Sequence, residues 1–332
     1  MSRENHMGSK NNTLSRRDSL TSSSAAFTAA AFIGKMEGQK MEQTSGWDKS
    51  LSGKVAVVTG AARGIGRSVA VAFARSGAHV VGIDICTTVD PRSGVEPATP
   101  DDLEATGELV KGAGATWKSI ILDQRELPKL RNAAADVEKE FGHIDILFAN
   151  AGIQAFRPLL EMEDADWHIQ IDVNLTGTAN TVRAFGPAML RRGSGRIIMT
   201  TSTQGRHGTF NGAAYSASKW GIIGLMKSAA LELGRHGITV NCLVPGLIDT
   251  ALTRHEERYE QALQLAGRTP SGDVKADEAA ARKVLQVRSP LGVPWIDPAE
   301  MAPMVVFLAS DAARMVSGAT FDVTGGDSAN NV

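Results

Sequence analysis

The chain has two cysteines and two tyrosines in 332 residues, no excess of charge of either sign and no long apolar run. Two cysteines, Cys86 and Cys242, cannot build a disulfide framework, and neither has metal-ligand spacing. Each accompanies an apolar strand-like run, so both read as small buried side chains. A formal net charge of -1 excludes the basic footprint that nucleic acid requires. His207, His236 and His255 also lack ligand spacing, so no metal is expected. The remaining composition, 42% hydrophobic and 21% charged, is that of an ordinary globular protein with apolar mass for one large core.

The first fifty residues differ in kind, being rich in Ser, Thr, Asn, Gly, Lys and Glu without apolar periodicity, and read as a disordered tail over 1–50. Within it, Arg16 and Arg17 precede a weakly apolar stretch from Ala25 to Ile33, an arrangement similar to a twin-arginine export signal. Ser19 stands where such signals carry a bulky apolar residue. The stretch is about half the roughly 20 residues that span a bilayer, so no membrane span is expected. A cytoplasmic location is the expectation, with export as the alternative.

From residue 51 to 332, short β-rich runs alternate with longer amphipathic segments. The strand candidates are KVAVVTG, HVVGID, WKSIILD, IDILFAN, GRIIMTTS, ITVNCLVPG and ATFDVTGG. Most are apolar throughout, as parallel strands covered on both faces are. Ile65, Val69, Ala72 and Phe73 share one helical face, and Val182, Phe185 and Met189 share another. Such alternation predicts a single α/β domain with an open, doubly wound sheet and helices on both faces. Two segments interrupt the rhythm. Residues 85–101 carry Pro91, Pro97 and Pro100 and read as an inserted ordered loop. Residues 251–293 insert charged helical sequence broken at Thr269 to Gly272, after the sixth strand, and read as a substrate lid.

TGAARGIG, Thr59 to Gly66, follows the first strand and opens the first helix, the context of a phosphate-binding turn. Gly60 turns the chain, Gly64 lets backbone approach a pyrophosphate, and Gly66 allows close helix packing. Asp84 ends the second strand eighteen residues after Gly66, placed to accept hydrogen bonds from a ribose diol. A carboxylate there repels a 2′-phosphate, so NAD is expected over NADP, although Arg63 pulls the other way. Asp123, ending the third strand with Gln124 beside it, can face the adenine edge.

The chemical end lies in YSASK. Tyr215 and Lys219 fall one helical turn apart, on one face. A nearby ammonium, helped by an oxidised nicotinamide, favours the phenolate and draws its pKa toward neutrality, which makes Tyr215 a general base for an alcohol. Ser202, thirteen residues earlier at the end of the fifth strand, can hold the substrate oxygen. Asn174 brings an amide that can fix a water and relay protons from Lys219.

TGxxxGxG at Thr59 to Gly66, Asn150-Ala151-Gly152, Asn174, Ser202, Tyr215-x-x-x-Lys219 and Pro245-Gly246 together resemble the short-chain dehydrogenase/reductase family over residues 51 to 326. The resemblance implies a Rossmann-like sheet of seven parallel strands and a catalytic tetrad of Asn174, Ser202, Tyr215 and Lys219. It implies that Lys219 binds the nicotinamide ribose and that Asn150, Ala151 and Gly152 shape the adenosine side. Pro245, Gly246, Ile248 and Thr250 border the nicotinamide, and Ile65 belongs to the glycine turn. Homotetramers built through helices carrying Asn180 to Leu190 and Tyr215 to Leu233 are expected. The long loop after Asp84 and the run from Gly205 to Gly234 are similar to the carveol-dehydrogenase-like, mycofactocin-associated subgroup. That subgroup acts on cyclic, terpenoid-like secondary alcohols and covers a tightly held NAD. Ile65, where Gln is frequent, and LDQREL depart from its pattern. The expected activity is NAD-dependent interconversion of a secondary alcohol and a ketone. Alternatives are a ketoreductase of acyl-thioester or sugar type on the same scaffold and, from another class, a non-catalytic NAD(H)-binding redox sensor.

Overall fold

The computed structural model describes residues 49–330. The tail expected over 1–50, with the Arg16-Arg17 pair, lies outside the described residues apart from Lys49 and Ser50. Seven strands form where apolar runs were read: β1 Val55–Thr59, β2 His79–Asp84, β3 Trp117–Ile121, β4 Ile146–Ala149, β5 Gly195–Thr200, β6 Ile238–Pro245 and β7 Thr320–Val323. They pair in parallel in the order β3-β2-β1-β4-β5-β6-β7. Strands β1, β4 and β6 are buried along their whole length, which explains their unbroken apolar sequence.

Helices cover both faces. On one, α1 (Gly64–Arg75), α2 (Pro100–Gly112) and α9 (Ala302–Ala309) pack Val69, Phe73, Leu103, Val305 and Leu308 against Val58, Phe148 and Leu243. On the other, α3 (Leu127–Phe141), α5 (Gly177–Arg192) and α6 (Ala213–Leu233) bring Leu130, Phe185, Met189, Ile222 and Met226 against Val57, Leu147 and Ile197. A short α4 (Asp164–Gln170) runs into a π-helical turn, Ile171–Thr176, before α5. The chain leaves β1 toward β2 and β3, then returns to place β4 on the other side of β1. A crevice therefore opens beyond the carboxyl ends of these two strands.

The inserted loop is shorter than read. Pro100 begins α2 instead of extending the loop to 101, because a proline at the first helical position loses no hydrogen bond. Thr99 caps the helix: its hydroxyl accepts from Asp102 N at 3.1 Å while the Asp102 carboxylate accepts from Thr99 N at 2.9 Å. Cys242 is buried inside β6 as expected, but Cys86 is only half-buried and turns the loop with φ 51. The insertion after β6 folds into α7 (Glu256–Leu265) and α8 (Val274–Arg288), with the Thr269 to Gly272 break between them. Tyr259, Leu263, Ala281, Val284 and Trp295 give this helix pair a small apolar core of its own.

Candidate active site

A single cavity of about 450 Å³ occupies the crevice and extends under the insertion. Of the catalytic and cofactor-binding residues expected from the sequence it brings all to its wall except Gly66 and Asn174. At one end β1 passes into the glycine turn. Gly60 and Gly64 adopt φ 70 and φ 57, a region open to glycine. A Cβ on Gly66 would lie 1.9 Å from the Gly60 carbonyl oxygen, so only glycine lets α1 start this close to the turn. Ile65 half-fills the gap to the core, and the Thr250 methyl closes over Gly64.

Asp84 serves two backbones. Its carboxylate accepts from Ala62 N at 3.0 Å and Cys86 N at 3.1 Å, which fixes its direction at the cavity wall. Asp123 accepts from Arg125 N at 2.8 Å and pairs with the Arg125 guanidinium, which holds its pKa below the ordinary carboxylate value against the cost of burial. Gln124 donates to Ala151 O at 3.1 Å and Val173 O at 2.7 Å and thereby ties the strand end to the π turn. Asn150 donates to Thr59 O at 3.1 Å and accepts from Thr200 Oγ1 at 3.1 Å, which joins the ends of β1, β4 and β5. Pro245 and Gly246 leave β6 against Thr324, and Ile248 forms an isolated parallel bridge with Ile296.

At the other end, Lys219 Nζ stands 5.5 Å from the centre of the Tyr215 ring and donates to Thr200 O at 3.1 Å. Both side chains are buried on one face of α6. Burial pushes the phenol up to about 12, while the Ser202 hydroxyl and the Arg258 charge pull it back. Burial also lowers the Lys219 ammonium to about 8. The sequence argument has Lys219 drawing the phenol down. In the structure desolvation outweighs that attraction, and the charge acting on Tyr215 is that of Arg258.

Asn174, expected to fix a relay water, is also bonded to protein groups. Its Oδ1 accepts from Ile153 N at 2.8 Å, and its Nδ2 donates to Ile153 O at 3.0 Å and Ser218 Oγ at 3.1 Å. The amide is thus engaged in clamping the chain after β4 to α6, and a second lone pair on Oδ1 is what remains for a water. A Cβ on Gly152 would sit 3.0 Å from that Oδ1 and 3.6 Å from Lys219 Nζ, so the two groups share one small space.

The loop from 85 to 99 lies along the cavity and is tied at several points. Arg63 donates to Glu96 O. Arg92 bridges Asp90 at 3.1 Å and Asp166 at 2.8 Å, and Arg157 donates to Arg92 O at 2.7 Å. His207 does not line the cavity, and its ring bonds Gly208 O at 2.9 Å.

Sequence reasoning missed Arg258, which enters the cavity from α7 and stacks over the Phe156 ring at 4.7 Å. Nothing local in a charged helical stretch distinguishes an inward arginine from a solvated one. No group of three or more metal-ligating side chains occurs among the described residues.

A parallel sheet in this order, a glycine turn at its first strand and a Tyr-Lys pair on α6 define a dehydrogenase of Rossmann type. A sequence model of the short chain dehydrogenase family matches residues 54–261. The (-)-trans-carveol dehydrogenase of Rhodococcus erythropolis is 35% identical over 83% of this chain and 98% of its own length. The 3-oxoacyl-acyl-carrier-protein reductase of Escherichia coli is 34% identical over 83% and 98%. Among solved structures, carveol dehydrogenase from Mycobacterium avium in complex with NAD superposes with a TM-score of 0.77 at 36% identity, covering 84% of this chain and 98% of that one. The chain belongs to the short-chain dehydrogenase/reductase family of oxidoreductases, and within it is carveol-dehydrogenase-like.

Proposed function

We propose that the protein interconverts a cyclic, terpenoid-like secondary alcohol and its ketone with NAD, using Tyr215 as general acid and base. The observation that carries this reading is that Tyr215, Ser202 and Lys219 meet at one end of a cavity whose other end is the glycine turn and Asp84. These residues fit a dinucleotide. Gly60 and Gly64 bring bare backbone to the cavity wall, the amino end of α1 offers N–H groups and positive dipole, and Asp84 offers a carboxylate to a ribose diol. Asp84 has no basic ion-pair partner among the described residues, which favours NAD over NADP. Asn150, Ala151, Gly152, Asp123 and Gln124 would border the adenosine side. Pro245, Gly246, Ile248 and Thr250 would border the nicotinamide.

When bound, NAD supplies the acceptor for the hydride that leaves the carbinol carbon. The Ser202 hydroxyl orients the substrate oxygen, and the Tyr215 phenolate takes its proton as the carbonyl forms. Lys219 holds the nicotinamide ribose and supplies positive charge behind the phenol. Asn174 fixes the chain that carries Gly152 and Ile153, and the second lone pair of its Oδ1 would take the relay water. In the reverse direction Tyr215 returns the proton to the ketone oxygen.

The clamped loop over 85–99 and the helix pair over 251–293 support a covered cofactor and a lidded substrate end. Native mass spectrometry of protein purified without added NAD tests this. Co-purified NAD, with free NAD unable to sustain turnover until an artificial acceptor is added, is the expected result. An empty protein that steadily reduces free NAD would overturn it. The similarity to the 3-oxoacyl-acyl-carrier-protein reductase supports a second reading, reduction of an acyl thioester, which a thioester in the same substrate panel would reveal.

A further inference from the structure

Two neighbouring arginines of the insertion are treated differently by the fold. Arg254 pairs with Asp249 at 3.0 Å, also pairs with Glu278, and lies 4.3 Å from the Trp295 ring centre. Its charge is balanced. Arg258, one turn on, has no carboxylate within ion-pair range among the described residues, and the opposing charge that acts on it is the phenol of Tyr215. Burial lowers its guanidinium to about 10, so the site places a cation where water does little to support it.

The guanidinium is held in position. Phe156 supports its face at 4.7 Å, and one Nη donates to Gln261 Oε1. Its Nε is buried and has no hydrogen-bond partner. The edge formed by Nε and the second Nη is the edge that takes a carboxylate in the paired, side-on manner. Around the same cavity further acceptors lack partners, among them Gln154 Oε1 and Gln204 Oε1, on residues only 6% and 8% exposed. Buried polar atoms are ordinarily satisfied, so a group of unsatisfied ones lining one cavity marks what a ligand brings.

We propose that the substrate alcohol carries a carboxylate that pairs with Arg258 beside Tyr215, with Gln154 and Gln204 receiving further hydroxyl donors. Arg258 is thus a specificity-determining residue, and the substrate is an oxygenated cyclic hydroxy acid. The inference rests on the cavity being the substrate site of the dehydrogenase reading, but its test does not depend on turnover.

Calorimetric binding of cyclohexanecarboxylate and of the neutral cyclohexanecarboxamide to the NAD-loaded protein measures it, in wild type, Arg258→Gln and Arg258→Lys. Wild type should bind the carboxylate at least about tenfold more tightly than the amide, as a charge-assisted pair predicts. Arg258→Gln should lose that ratio, and Arg258→Lys should keep part of it. Equal binding of the two probes by wild type, or an unchanged ratio in Arg258→Gln, would overturn the proposal. Turnover of a hydroxycyclohexanecarboxylate and its matching amide then separates the two claims. A carboxylate that binds through Arg258 yet transfers no hydride would sink the dehydrogenase reading alone. If Arg258 acted only through the Tyr215 phenolate, both substrates would slow together and their ratio would persist, against the proposal.

Discussion

A phenol pushed to about 12 is a poor base near neutrality, so Tyr215 depends on the charges that gather around it when the site is filled. Tyr215→Phe keeps the ring and removes the proton carrier. Its kcat should fall about 10²- to 10⁴-fold, the usual contribution of general acid-base catalysis, with little change in thermal stability. Lys219 gives a second prediction, with its sign set by linkage. The folded lysine releases its proton near 8, the unfolded one near its ordinary 10.5. Between those values the unfolded state binds more protons, so stability rises with pH, by at most about 1.4 kcal/mol per unit. Below 8 both states are protonated, and the folded state carries the full cost of a buried ammonium. Denaturant unfolding of cofactor-free protein should show wild type gaining on Lys219→Met from pH 8 to 10.5. A flat difference would mean the ammonium is hydrated in the fold. Tyr215, Lys219 and Ser202 were legible because spacing on a helix and at a strand end dictates their meeting. The direction of the Tyr215 shift was not, since burial is a property of the folded cavity.

Elements were legible wherever burial on both sides forces an unbroken apolar run, as in β1, β4 and β6. Boundaries set by capping were less so: three prolines read as loop, yet Pro100 opens α2 because Thr99 and Asp102 cap it reciprocally. The π turn holding Asn174 left no mark in the sequence either, because it depends on Gln124 and Ser218 reaching it from other elements. Two predictions belong here. Gly66→Ala would thrust a methyl onto the Gly60 carbonyl, and titration calorimetry should find NAD binding lost or reduced by more than about tenfold, a cost of 1.4 kcal/mol or more. Arg92→Ala removes the bridge between Asp90 and Asp166 and should speed release of bound NAD, followed by fluorescence, without altering the fold by circular dichroism. Unchanged release would mean the loop is held by its other ties.

For the whole molecule, order and direction of the strands place the cavity, since the reversal between β1 and β4 is where both ends of the site converge. No described helix is long and apolar enough to cross a membrane. Trp220, 53% exposed on α6, and Leu190, 43% exposed on α5, are large apolar side chains left facing outward. We propose that they contribute to a subunit contact, as the homotetramer implied by the family resemblance requires. Light scattering should give a tetramer for wild type and smaller species for Trp220→Glu; a monomeric wild type would contradict this. The central claim is hydride transfer from a secondary alcohol with Tyr215 moving the proton. Its direct test is the near-ultraviolet absorbance of reduced nicotinamide, followed in one turnover after mixing NAD-loaded wild type or Tyr215→Phe with cyclic secondary alcohols, including hydroxy acids. A rise in wild type that is slowed by orders of magnitude in the variant is the predicted result. Equal rates in the two proteins, or no reduction with any alcohol, would contradict it.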